Sequence, residues 1–180
     1  MLGSTQGDAV LAPGAGGLEV ARRRSGGGAV LVEPDRVVWA DVVVPAGDAL
    51  WEPDVGRATW WLGEAWAAAL DRLGVPTAVV HRGGLVRSAW SPWVCFAGLG
   101  PGEVTVGGCK VVGVSQRRTR DGALFQCAVP LTWEPATLLG ALALSSSERA
   151  RATEDLAGAV LALGGHLPGA IEAAFLASLP

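Results

Sequence analysis

The chain has 180 residues, half of them apolar and only 17% charged, with 14 basic against 17 acidic residues and a formal net charge of −3. That length suits a single domain over residues 1–180, and that balance excludes a disordered chain and gives no footprint for nucleic acid or an anionic membrane. The first residues show no basic segment ahead of an apolar run, and no stretch approaches the roughly eighteen apolar residues of a membrane span, so a cytoplasmic protein is expected.

Three cysteines, Cys95, Cys109 and Cys127, lack any Cys-x-x-Cys spacing. With only His81 and His166 to join them they make no zinc set, so free thiols and no metal site are expected.

Residues 7–17, rich in Gly, Ala and Pro, read as a flexible connection. Residues 19–24 and 29–32 read as extended chain, and Gly26-Gly27-Gly28 joins them as two strands. A dinucleotide loop or a P-loop needs a helix directly after its glycines. Here Pro34-Asp35 makes a turn and residues 37–44 supply another strand, so those readings fall away. What remains is bare backbone beside Arg22, Arg23 and Arg24, whose planar forks suit phosphate or carboxylate, and an anionic guest is expected. A glycine bulge with solvated arginines fits the same spacing.

Residues 52–73 carry the strongest helical pattern: Pro53 in the first turn, Val55, Leu62, Trp66, Ala69, Leu70 and Leu73 on one face, and Gly74 with Pro76 as the stop. Trp60, Trp61 and Trp66 at that spacing are expected in the core rather than around a ligand. Residues 78–81 read as a strand with Arg82-Gly83-Gly84 as its turn, and His81 beside Arg82 is explained by a strand end without chemistry. Residues 94–97 are a short apolar run leading into Gly98-Leu99-Gly100-Pro101-Gly102, a loop that lets backbone approach a ligand.

Residues 103–106 and 109–115 form a predicted hairpin with a Gly107-Gly108 turn. A two-residue period places Lys110 with Val112 and Val114 on one face, and Cys109, Val111, Gly113 and Ser115 on the other. Lys110 is the only lysine among the 14 basic residues, the other 13 being arginine. A lone ammonium on a strand among apolar neighbours points to a site that needs a compact charge rather than a fork.

Residues 116–122 read as a charged, solvated turn and residues 123–129 as the next strand, carrying Cys127. Ser145 and Glu148 have capping-box spacing ahead of a predicted helix over 149–163, ended by Gly164-Gly165, and Pro168 opens a last helix over 169–179.

The run Arg22-Arg23-Arg24-Ser25-Gly26-Gly27-Gly28-Ala29-Val30, followed by Gly108-Cys109-Lys110-Val111-Val112-Gly113-Val114-Ser115, resembles the paired motifs of the lipoate–protein ligases and octanoyl transferases of the biotin/lipoate ligase superfamily. The resemblance implies an α/β domain, with a mixed, largely antiparallel sheet covered by helices, here without the family's initial helix and strand and without a C-terminal accessory domain. It implies transfer of a lipoyl or octanoyl group to a lysine of a lipoyl-carrier domain, with ATP and magnesium as co-substrates in a ligase and no tightly bound cofactor. Arg23, Gly26, Gly27, Gly28, Val30 and Gly113 would hold the acyl-adenylate, and Lys110 would polarise the carbonyl. The His-His-Gly of many family ligases is absent from the strand of Cys127, which makes Cys127 a candidate nucleophile for a transferase that takes carrier-bound octanoate or lipoate. A reduced relative that binds without turnover is the third reading. The Gly-Arg-Gly-Arg-x-Gly-Arg loop of the biotin ligases is not found.

Overall fold

The computed structural model describes residues 1–15 and 17–180. Val37–Pro45 (β1), rich in β-branched residues, pairs along its length with Gly122–Pro130 (β5), which pairs in turn with Cys109–Arg118 (β4). Two short strands, Val79–Val80 (β2) and Val104–Val106 (β3), complete a five-stranded sheet in the order β1-β5-β4-β3-β2. Every ladder is antiparallel. The predicted hairpin turn is present, with Gly107 and Gly108 at φ of 59° and 84°.

One face of the sheet is covered by Trp60–Arg72 (α1) and Pro168–Leu176 (α4). Leu62, Trp66, Ala69 and Leu70 of α1 meet Phe125, Cys127 and Val129 of β5 in the main core. Trp66 stacks on Phe175 of α4 at 4.0 Å between ring centroids, and Trp61 meets Phe125 edge-on, so these tryptophans pack as expected. The helix starts later than the apolar pattern predicts. Ahead of it Glu52 accepts from the Asp54 N–H and Asp54 accepts from the Arg57 N–H, so local side chains take the backbone donors in a turn that one 3₁₀ turn, Arg57–Thr59, then follows. Val55, predicted inward, is exposed.

The other face is covered by irregular chain rather than by helices alone. Val30, Phe96 and Val160 pack with Ala128 of β5, and Pro135–Gly140 (α2) and Ser146–Leu156 (α3) pack outside them on Leu2, Ala29 and Val94. Residues 19–24 and 29–32 are extended but join no ladder; single parallel bridges hold them, Leu2 to Arg22 and Ala29 to Val94. In the segment 7–17, Asp8–Val10 is one 3₁₀ turn and Leu11 bridges to Leu142, while Gly16 lies outside the described residues. Ser145 and Glu148 cap α3 as a full capping box. The helix ends at Leu156 and not at 163, because Ala159 and Leu161 spend their backbone groups on Lys110: the Lys110 N–H donates to the Ala159 carbonyl and the Leu161 N–H to the Lys110 carbonyl. Among the described residues no helix is long and apolar enough to cross a membrane.

Packing should outweigh capping in this fold. Phe175→Ala, which empties the stack on Trp66, is expected to cost about 3–5 kcal/mol, and Ser145→Ala about 1 kcal/mol. Urea unfolding of both variants checks the ranking, and equal costs would show that α4 is not held through Phe175.

Candidate functional site

The chain reaches Lys110 one residue past the Gly107-Gly108 turn, and there the strand is irregular. Thr105 lies opposite Lys110 but Val104 lies opposite Val112, so Val111 is an extra residue in the ladder. The slip corrects the face predicted for Lys110. Its Cε stands 3.4 Å from where a Cβ on Gly113 would be, so the lysine lies over Gly113 rather than sharing a face with Val112 and Val114.

The ammonium is buried, and its surroundings are polar at every proton. Nζ is 2.7 Å from Glu103 Oε2 and donates to the Cys95 carbonyl at 3.2 Å and the Gly98 carbonyl at 3.1 Å, with the Phe96 ring 4.8 Å away. An ammonium has three protons, and all three are placed. Glu103 is equally engaged: Oε2 also accepts from the Gly100 N–H and Oε1 from the Val114 N–H. Removing either partner would leave a buried charge alone, at a cost of about 3–5 kcal/mol. Sequence reasoning missed Glu103, whose place directly before β3, on the hairpin arm opposite Lys110, was the available signal.

Of the three motif arginines only Arg23 is buried, and Arg24 is exposed outside the cavity. Arg22 is paired with Asp8. Arg23 is buried and its Nη2 donates to the carbonyls of Gly26 and Gly28, each at 2.8 Å, so it shapes the glycine loop from behind. Its Nη1 is buried with no hydrogen-bond partner among the described residues. Gly27 takes φ of 99°, and a Cβ on Gly28 would stand 2.5 Å from the Val94 carbonyl carbon, so both positions demand glycine. Ser25 ties the loop to the sheet: its hydroxyl donates to Gln126 Oε1 and lies 2.9 Å from Ser115 Oγ, while Gln126 Nε2 donates to Asp41.

Loop and lysine face each other across a cavity of about 640 Å³, within the size range of small-molecule sites. Gly26, Gly27 and Gly28 border it with Cys95 beside them, and Lys110 and Glu103 border it from the β3–β4 hairpin. Arg23, Val30 and Gly113 lie behind this cavity around a hollow of about 10 Å³. Val30 also borders a hollow of about 50 Å³ with Phe96, Trp133 and Leu138.

Cys127 is misplaced by the sequence reading. The strand does pass the site, but the pleat turns Gln126 and Ala128 toward it and Cys127 toward α1, where the thiol is wholly buried in the main core. Burial pushes its pKa up to about 12. The cavity thiol is Cys95, whose Sγ lies 3.8 Å from where a Cβ on Gly27 would be. Sequence carried no spacing that preferred Cys95, since the contact joins two segments distant in the chain that the bridge from Ala29 to Val94 lays side by side. His81 and Arg82 do not reach it; His81 Nε2 contacts the Gly84 carbonyl and Arg82 pairs with Glu64. Among the described residues there is no group of three His, Cys, Asp or Glu able to hold a metal.

Residues 10–176 match the lipoyl protein ligase A/B catalytic domain. The chain belongs to that family. No curated protein matches it. Among solved structures it is similar to the bi-partite lipoate protein ligase of Thermoplasma acidophilum described with its E2 lipoyl domain, at 16% identity and a TM-score of 0.76, covering 98% of this chain and 64% of that one. It is similar also to lipoate-protein ligase A bound with ATP, at 17% identity and a TM-score of 0.69, and to a T. acidophilum protein assigned as a lipoate protein ligase with bound lipoic acid, at 17% and 0.68; each comparison covers 98% of this chain and 65% of the other. The lipoyl protein ligase A/B domain seen here thus spans somewhat less than two thirds of those chains, and at these identities the likeness establishes the fold.

The three thiols of this ligase A/B family domain should differ in reactivity. At about pH 8 a maleimide is expected to label Cys95 and Cys109 in the folded protein and Cys127 only after unfolding, because a thiol raised that far carries almost no thiolate. Intact mass should show two adducts without denaturant and three with it. Labelling of folded protein at Cys127 as fast as at Cys95 would place Cys127 outside the core.

Proposed function

We propose that the chain transfers a lipoyl or octanoyl group to a lysine amine of a lipoyl-carrier domain, activating the acid as an acyl-adenylate. The observation that carries this reading is the meeting of the Gly26-Gly27-Gly28 backbone and Lys110 across one cavity. Relatives described with lipoic acid, with ATP and with an E2 lipoyl domain support the same ligand classes.

In the first step a carboxylate oxygen of the acid attacks the α-phosphorus of ATP, forming the mixed anhydride and releasing pyrophosphate. In the second a deprotonated carrier lysine attacks the acyl carbonyl, the C–N bond forms, AMP leaves and the nitrogen loses its extra proton. Both steps build charge on oxygen, and a buried ammonium already fixed in place stabilises it strongly. The side-chain-free wall lets phosphate or acyl oxygens reach backbone.

Because all three Lys110 protons are already placed, a ligand oxygen must displace an acceptor. The neutral carbonyls of Cys95 and Gly98 yield more readily than the Glu103 carboxylate, whose attraction for the ammonium is ionic. Glu103 therefore stays as the group that aims Lys110, and the loop that carries Cys95 and Gly98 adjusts. Glu103 is the only carboxylate on the cavity wall among the described residues, and it is fully engaged. Magnesium would therefore enter on the phosphates of the nucleotide, as part of the substrate.

A second reading is carrier-dependent transfer, in which a cysteine thiolate takes the acyl group from a carrier thioester, expelling the carrier thiol, and then yields it to lysine. Cys95, exposed to the cavity, favours it; Cys127 does not. Pyrophosphate exchange with lipoate or octanoate, run beside acyl-carrier transfer with Cys95→Ala in both assays, separates the readings. Exchange that survives Cys95→Ala supports the adenylate. Carrier-dependent transfer that dies with Cys95, without exchange, overturns it in favour of the transferase, and silence in both assays leaves a non-catalytic binder.

Lys110→Arg should lower acyl transfer by about a hundredfold or more. A thermal melt of the same variant distinguishes this from unfolding, since a longer fork in the Glu103 cage strains it. Near-normal transfer would remove Lys110 from the reaction.

A further inference from the structure

The cavity's positive charge does not come from the arginines of the glycine motif, as the sequence implied. Three charged side chains border it among the described residues, Lys110, Glu103 and Arg87, and the first two neutralise each other at 2.7 Å. Arg22 is spent on Asp8 and Arg23 on its own loop. Arg87 is exposed and has no hydrogen bond or ion pair among the described residues, so it supplies the cavity's whole net charge.

Its direction is fixed by backbone. Val86 and Leu99 exchange both hydrogen bonds of an antiparallel bridge, at 2.8 and 2.9 Å. In such a pair the flanking residues turn to the opposite side from the bridged ones. Leu85, Arg87, Gly98 and Gly100 accordingly border the cavity, while Val86 and Leu99 do not. Arg87 thus lies across from Gly98, the residue whose carbonyl holds the Lys110 ammonium. Gly98 cannot carry a side chain, since a Cβ there would stand 2.8 Å from Ser91 Oγ and 2.9 Å from the Val86 carbonyl oxygen.

We propose that Arg87 is the specificity-determining cation of this site, binding the phosphate ester of the acyl donor at the cavity mouth while Lys110 serves the acyl oxygen. The inference rests on the acyl-transfer reading for the identity of the donor. A phosphate ester is common to both donors that reading allows, the nucleotide of an adenylate and the phosphopantetheine arm of an acyl carrier. A guanidinium fork matches the two unesterified phosphate oxygens that both donors keep, and its attraction for this partly solvated anion falls with salt.

Two matched pairs of probes test it by calorimetry, AMP against adenosine and 4′-phosphopantetheine against pantetheine, with wild type, Arg87→Gln and Arg87→Lys. The phosphorylated member of one pair is expected to bind wild type more tightly than its partner. Arg87→Gln should erase roughly ten- to a hundredfold of that preference, as for one charge-assisted hydrogen-bonded pair, and Arg87→Lys should restore part of it. The unphosphorylated member should be unaffected. The pair that responds identifies the donor. A phosphate preference unchanged in Arg87→Gln, or no phosphate preference in the wild type for either pair, overturns the assignment. The acyl-transfer reading stands or falls separately, on the mass of the acylated carrier: transfer with an unchanged phosphate preference sinks only Arg87, and an Arg87-dependent preference without transfer sinks only the reaction.

Discussion

Two opposite charges held 2.7 Å apart and almost wholly out of water, Glu103 and Lys110, are stable only where the remaining lone pairs and protons are also met. Meeting them recruits most of the nearby chain. Gly100 and Val114 give their N–H groups to Glu103, and Cys95 and Gly98 give their carbonyls to Lys110. The backbone of Lys110 is held as well, by Ala159 and Leu161, which explains why α3 gives way to extended chain. The hairpin and the loop 95–100 are therefore tied by one pair of charges and the C-terminal segment by the backbone of the same lysine, and the cavity is the space they leave in front of the Gly26-Gly27-Gly28 loop.

The same economy governs the arginine motif. A guanidinium buried behind a loop of three glycines gives the loop the rigidity that glycine lacks, because its fork ties two carbonyls two residues apart. Ser25 fastens the loop to β5 through Gln126, and Asp41, which can only accept, sets the orientation of the Gln126 amide. The loop offers bare backbone to a ligand only because charged and polar side chains on its far side hold it in place.

Local signals made part of this legible in sequence. The Gly107-Gly108 turn fixed the β3–β4 hairpin, the turns at Pro34-Asp35 and at 116–122 set off β1 and β5, and Ser145 with Glu148 marked the start of α3, since each is decided within a few residues. The meeting of the glycine run with Lys110 followed from the resemblance of the two motifs. What failed was decided across the fold. The one-residue slip at Val111 is a property of the β3 pairing and turned Lys110 over Gly113. The pleat of β5 put Cys127 in the core, and the bridge from Ala29 to Val94 brought Cys95 beside Gly27 instead. The end of α3 was set by hydrogen bonds to Lys110, a partner far away in sequence, against a helical pattern that continued past Leu156.

The one position at which the chain uses lysine in place of arginine has a physical cause. At Lys110 the acceptors belong to three separate groups, a carboxylate oxygen and two loop carbonyls, gathered on a single nitrogen above the Phe96 ring. A tetrahedral ammonium satisfies three such acceptors from one point, whereas a planar guanidinium spreads its donors in a fork that would need them in one plane. A point centre of this kind also changes partners one at a time. Exchange of a loop carbonyl for a ligand oxygen leaves the Glu103 contact whole, so the charge stays neutralised during binding, and the energetic difference between the empty and occupied site is confined to one neutral hydrogen bond and the loop that supplies it. Arginine at this position would have to rearrange several donors together. The lone lysine is thus the residue type that allows a buried, fully satisfied ion pair to accept a substrate without first being broken.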